Sequence, residues 1–152
     1  MLFLIIKWIH VLSAITAVGA NITYGMWIGR VPKDPKILPF VLHNIKTIDD
    51  WIANPCYGLL LFTGLAMAFI VPIPLTTPWL LTALTLYVIA TIIGMAGFVP
   101  IFKKQIRLLE REGIDSPNYK AAEKQGRVPG IVTGVVVIAI TFLMVVKPAL
   151  WG

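Results

Sequence analysis

Apolar residues run almost unbroken through four segments, about 2-28, 55-71, 79-99 and 129-146, and apart from Lys7 the charged residues fall outside them. Each segment approaches the roughly 20 residues that an α-helix needs to cross a hydrocarbon core about 30 Å thick. The pattern therefore predicts four membrane-spanning helices. Between the first two, Val31-Pro32-Lys33-Asp34-Pro35 has the proline and charge of a surface loop, and Ile37 to Asp50 interleaves Phe40 with His43, Lys46 and Asp49 as an interfacial helix does. The second span is expected to start at Asn54-Pro55, a cap followed by a first-turn proline, or else to continue the interfacial helix through a kink at Pro55. The uncharged stretch Val71 to Pro78 holds three prolines and ends it. The third span stops near Pro100 and runs on as a cationic segment, Phe102 to Glu112. Gly113 and Asp115-Ser116-Pro117 then separate a short polar helix, Asn118 to Gln125, from the fourth span.

Composition turns this pattern into a class. Of 152 residues 58% are hydrophobic and only 13% charged, with a mean hydropathy of +0.86. A soluble domain carries about a quarter charged residues, so the chain reads as one integral membrane domain over 1-152. The expected fold is an all-α transmembrane four-helix bundle whose solvent is the lipid bilayer. The N-terminal segment has no basic leader and no small-residue cleavage site, and is read as a retained helix.

Charge supplies the orientation. Arg30, Lys33, Lys36 and Lys46 lie in one polar segment and Lys103, Lys104, Arg107, Arg111, Lys120, Lys124 and Arg127 in the other, which leaves Lys7 and Lys147 elsewhere. Basic loops stay on the cytoplasmic side, so both termini are expected on the outer, periplasmic side of a bacterial inner membrane, in a multi-pass arrangement. Trp27 and Trp51 then fall at the inner interface and Trp79 and Trp151 at the outer one, as aromatic belts do. The net charge of +6 follows from this rule without any nucleic-acid partner.

Polar residues inside a span are costly and mark where chemistry or packing is concentrated. At 100° per residue, His10, Ala14, Ala17, Asn21 and Tyr24 lie within about 40° of one meridian of the first helix, with Lys7 and Ser13 at its edges. Ile5, Leu12, Ile15, Ile22 and Met26 occupy the opposite, lipid-facing side. Small residues beside His10 leave room for a neighbouring helix or a flat cofactor. Its imidazole accordingly reads either as an interhelical hydrogen-bond partner of a threonine or backbone group, or as an axial ligand of haem b. Lys7 either snorkels to the interface or pairs with a haem propionate. His43 lies at the other membrane level and is not expected to be a second ligand, whereas Met67 and Met144 sit near the depth of His10, as core residues or as ligands. Asp49, Asp50 and Asn54 read as capping groups of the second span.

Gly64 with Ala68, and Gly126, Gly130 and Gly134, are small-residue series that suit close helix packing within the bundle or in a homodimer. No Ser/His/Asp set, phosphate-binding glycine loop, CxxC or acidic pair is present, and Cys56 is the sole cysteine. The spans hold no carboxylate, which argues against an ion-coupled transporter.

The run Ile6-Lys7-Trp8-Ile9-His10-Val11-Leu12-Ser13-Ala14, the segment Asn54-Pro55 with Thr63-Gly64-Leu65, and the ending Val145-Val146-Lys147-Pro148 resemble a family of small bacterial four-helix membrane proteins of unknown function. That family is similar in pattern to the membrane-bound, haem-containing protoporphyrinogen oxidases and, more distantly, to the copper-resistance D domains. The resemblance implies haem ligation by His10. Those oxidases also carry an essential lysine in their third helix, and Trp79 to Val99 holds no basic residue; the resemblance therefore extends to haem binding and leaves enzymatic activity open. The expected function is a haem b-binding redox or accessory subunit. The alternatives are a cofactor-free structural subunit of a larger membrane complex and a copper-handling module built on His10 and methionines.

Overall fold

The computed structural model describes residues 1–150, and Trp151, expected as an outer anchor, lies outside the described residues. Among them the chain is helical throughout, with α1 at Leu2–Arg30, α2 at Ile37–Ile48, α3 at Asn54–Ile70, α4 at Pro78–Ile92, α5 at Val99–Glu112 and α6 at Pro117–Val146. Four continuous helical rods, Leu2–Arg30, Ile37–Ile70, Pro78–Glu112 and Pro117–Val146, are long and apolar enough to cross a membrane. The four-span, all-α expectation is met.

The rods are longer than the apolar segments. Pro78–Glu112 has 35 residues and measures about 52 Å at 1.5 Å per residue, against about 30 Å of hydrocarbon. The surplus lies at the end that carries the basic segments. There, Tyr24, Leu38, Leu42, Ile45, Phe102, Ile106, Leu109 and Tyr119 form a buried cluster. Phe102, Ile106 and Leu109 recur at helical spacing on α5, while Lys103, Lys104 and Arg107 on its other side are exposed. This end is built as a soluble bundle is, with water opposing exposure of its core.

Two junctions continue the helix, as the sequence reading allows, through a π turn that it does not anticipate, and both involve proline. The interfacial helix and the second span are one rod joined by a π-helical turn, Asp49–Ala53, just ahead of Pro55. A π turn, Ile93–Phe98, likewise precedes Pro100 and joins α4 to α5. Proline has no N–H to donate and its ring crowds the carbonyl four residues earlier. One wider turn ahead of it relieves that contact without ending the helix. Asn54 consequently caps nothing; its amide donates to Asp49 Oδ2 at 3.4 Å. The polar segment from Asn118 and the fourth span also form one helix, α6, with Pro129 inside it. Its start is as expected, since Ser116 Oγ accepts from the N–H groups of Asn118 and Tyr119 at 3.2 and 3.4 Å.

Within the apolar half the helices form two antiparallel pairs, α1 with α3 and α4 with α6; α1 meets α6 more sparingly, and α3 and α4 do not pack on each other although a short turn, 71–77, joins them. The total accessible surface is 9600 Å². A compact soluble monomer of 16.8 kDa would expose about 7,600 Å². The excess reflects elongated rods and the space left between the two pairs. Ile5, Leu12, Ile15, Ile22 and Met26 are about half exposed, although Ile15 and Ile22 also border the space between the helix pairs, while Ala17 and Tyr24 on the opposite meridian are buried.

Candidate functional site

The space between the helix pairs is a cleft of about 2080 Å³. His10 and Lys7 line it near the chain terminus of α1, Asn21, Tyr57 and Tyr87 line its middle, and Lys124 and Arg127 line its basic end. The polar stripe of α1 thus faces the bundle interior, as the helical arithmetic predicts.

His10 is half-buried against α3. Its Nδ1 lies 2.9 Å from Thr63 Oγ1, and Thr63 Oγ1 donates its single proton to the carbonyl of Leu59 at 2.5 Å. A hydroxyl whose proton is already committed can only accept, so Nδ1 carries the hydrogen and donates it. In the neutral imidazole Nε2 is then the bare nitrogen. No protein group hydrogen-bonds Nε2 among the described residues, and the ring borders the cleft. The interhelical bond to a threonine, one of the two readings of His10, is present, and it holds the ring in the tautomer that a ligand needs.

The packing beneath the ring is equally specific. A Cβ built on Gly64 would stand 3.2 Å from His10 Cε1 and 3.7 Å from Nδ1. The absent side chain at Gly64 is what lets α3 approach the imidazole. The room left by Ala14 and Ala17 is therefore taken on one side by α3, and the other side opens to the cleft. Two further glycines work inside the chain in the same way: a Cβ on Gly126 would meet Ile101 at 3.3 Å, and one on Gly130 would meet Phe98 at 3.2 Å, whereas Gly134 faces open space.

A second polar layer lies deeper. Asn21 Nδ2 donates to the carbonyl of Ala17 at 3.1 Å and to the hydroxyl of Tyr57. Tyr87 donates its hydroxyl to the carbonyl of Tyr57 at 2.9 Å. This chain of bonds ties α1 to α3 and α3 to α4, and it bridges the two helices that otherwise do not pack. Sequence reasoning singled out Asn21 but missed Tyr57 and left the threonine partner of His10 unnamed. The available signal was the face Tyr57, Leu61, Gly64, Ala68, whose spacing of four, three and four puts its members on one side of α3.

Of the other candidates, His43 lies on α2 and meets Glu110 at 2.7 Å, far from the His10 layer. Met67 and Met144 line the cleft together with His10. Lys7 is exposed and lines it as well. Asp49 holds Asn54, and Asp50 pairs with Lys46. Among the described residues no three His, Cys, Asp or Glu side chains gather as a metal site. The cleft wall near the start of α1 offers one imidazole nitrogen, a lysine one turn away toward the terminus, and apolar side chains beside both.

No curated protein and no solved structure matches the chain. A family does match, over residues 4–148, with all four rods inside that stretch except for two residues at the start of α1. The chain accordingly belongs to the family described as "Predicted integral membrane protein (DUF2269)".

Proposed function

We propose that this protein is a haem b-binding redox or accessory subunit of the bacterial inner membrane, with His10 Nε2 as axial ligand and Lys7 paired with a propionate. The observation that carries the reading is the Thr63 bond at Nδ1, which leaves Nε2 bare at the edge of a large apolar cleft. Bound haem would supply one-electron transfer. The chain's own part is to hold the imidazole, through Thr63 on one side and Gly64 beneath, and to keep water from it. Met67 and Met144, which line the same cleft, would be the candidates for a second ligand. Both termini face the periplasm in this reading, because the basic end of the bundle carries all but two of the lysines and arginines.

Absorbance of protein purified from haem-replete cells is the test. A Soret band that His10→Ala abolishes is expected; no band, or one unchanged in His10→Ala, overturns the proposal. One observation favours a second reading, a cofactor-free subunit of a larger complex: α3 and α4 leave between them an opening that a partner helix would fill. Stoichiometric co-purification of another membrane protein without a chromophore would select it.

A further inference from the structure

The basic end of the cleft holds groups that the haem reading does not use. Lys120, Lys124 and Arg127 follow one another on α6 at intervals of four and three residues and so share a face, and all three line the cleft with Lys33 from the α1–α2 turn. Lys33 pairs with Glu123 and Lys120 with Asp115. Lys124 and Arg127 have no carboxylate partner among the described residues, and with Lys33 and Lys120 on the same rim they outnumber the two carboxylates that line the cleft, Glu123, which Lys33 takes, and Asp49, which holds Asn54. Tyr24 lines the same cleft, is only 7% exposed, and its hydroxyl bonds to nothing among the described residues. A buried hydroxyl without a partner is costly, so a ligand that accepts from it gains what the protein alone forgoes.

Away from this rim the cleft is walled mainly by aliphatic side chains and glycines of the spans, and its volume of about 2080 Å³ exceeds the roughly 300–1,000 Å³ of a small-molecule pocket. Two cations and a hydroxyl donor at one end of a long apolar trough are complementary to an anionic head on a long apolar tail. Inorganic phosphate would leave the trough unfilled. A partner helix would leave the two cations unanswered.

We propose that the cleft seats one anionic phospholipid, its phosphate held by Lys124 and Arg127, with Tyr24 donating to a phosphate or ester oxygen and the acyl chains lying along the trough. The lipid enters sideways between α3 and α4, whose backbones do not pack on each other and which, among the described residues, only the Tyr87–Tyr57 hydrogen bond joins. Anionic headgroups draw surface cations at about 1 kcal/mol each, and two of them correspond to about 30-fold in affinity.

The test is native mass spectrometry of the full chain released from membranes that contain both phosphatidylglycerol and phosphatidylethanolamine. One retained phosphatidylglycerol is expected on the unaltered protein. In the double variant Lys124→Gln/Arg127→Gln its retention should fall about 30-fold, and Tyr24→Phe should lower it further than the charges alone. Lys103→Gln/Lys104→Gln removes the same charge from exposed sites outside the cleft and should retain the lipid. His10→Ala should also retain it, which separates this proposal from the haem reading. The proposal is overturned if the unaltered protein retains no lipid, if both lipids are retained equally, or if the two double variants lose it equally, since equal loss marks attraction to bulk membrane charge alone.

Discussion

Thr63→Val is the most direct probe of the site, because valine keeps the shape of threonine and removes only the oxygen that accepts from His10 Nδ1. Two terms set its effect. A net intramolecular hydrogen bond is worth about 0.5–1.5 kcal/mol, and interhelical bonds within membranes average about 0.6 kcal/mol. Against this, Nδ1–H is left without its acceptor in a half-buried site, which costs about 1–3 kcal/mol when no other group replaces it. The Leu59 carbonyl loses its side-chain donor too, but as a helix carbonyl it keeps its backbone position. A loss of about 1–2 kcal/mol is expected. The assay is reversible unfolding in mixed micelles of rising SDS fraction, followed by tryptophan fluorescence, on Thr63→Val, His10→Ala and the pair. A coupling energy of about 1 kcal/mol should appear between the two sites, and Thr63→Ser, which restores the oxygen, should recover most of it. In the haem-bound state proposed above, the same variant would free the imidazole tautomer and is expected to weaken haem binding about 10–100-fold, the usual cost of losing a group that orients a ligand. Additive single effects, or a neutral Thr63→Val, would refute the assignment of Thr63 as the group that orients His10.

The remaining predictions concern the helix contacts, the extramembrane end and the orientation. Gly64→Ala gains about 0.8–1.0 kcal/mol of helix propensity but drives a methyl to 3.2 Å from an imidazole pinned by Thr63, at an overpacking cost of about 1–3 kcal/mol; it should destabilise the protein with His10 present and stabilise it in a His10→Ala background. In the same unfolding assay Gly134→Ala, which meets nothing, should stabilise by about 0.5–1 kcal/mol, while Gly130→Ala, which meets Phe98 at 3.2 Å, should not. The Glu112 carboxyl lies below its ordinary value of 4.5 because Ser116 and Asn118 donate to it. Its contribution to stability is thus complete above pH 4.5 and is lost as pH falls through the depressed value, and Glu112→Gln should flatten that acid limb. Finally, Arg107→Cys in a Cys56→Ala background should react with a membrane-impermeant maleimide only after intact cells are permeabilised; labelling before that would reverse the orientation.

The sequence by itself determined the class, the number of spans, the lipid side of α1 and the inward stripe bearing His10, Asn21 and Tyr24. Each follows from a local rule: lipid offers no hydrogen bonds, so apolar runs of sufficient length become helices, and a period of 3.6 residues sorts their faces. The start of α6 was legible for the same reason, since the Ser116 cap is satisfied within three residues. Tertiary structure alone decided the rest. The sequence left both a start and a kink open at Pro55 and had the third span run on past Pro100, but only the structure shows that π turns at Asp49–Ala53 and Ile93–Phe98 absorb the crowding of the prolines and keep each rod whole. That His10 meets Thr63 rather than a threonine of another helix depends on which helix pairs with α1, and nothing in the spacing within one helix encodes its neighbour. The cleft is the furthest from sequence of all: it exists because α3 and α4, adjacent in the chain, each pack on a different partner, and on the α3 side that choice rests on the close approach to α1 that Gly64 allows.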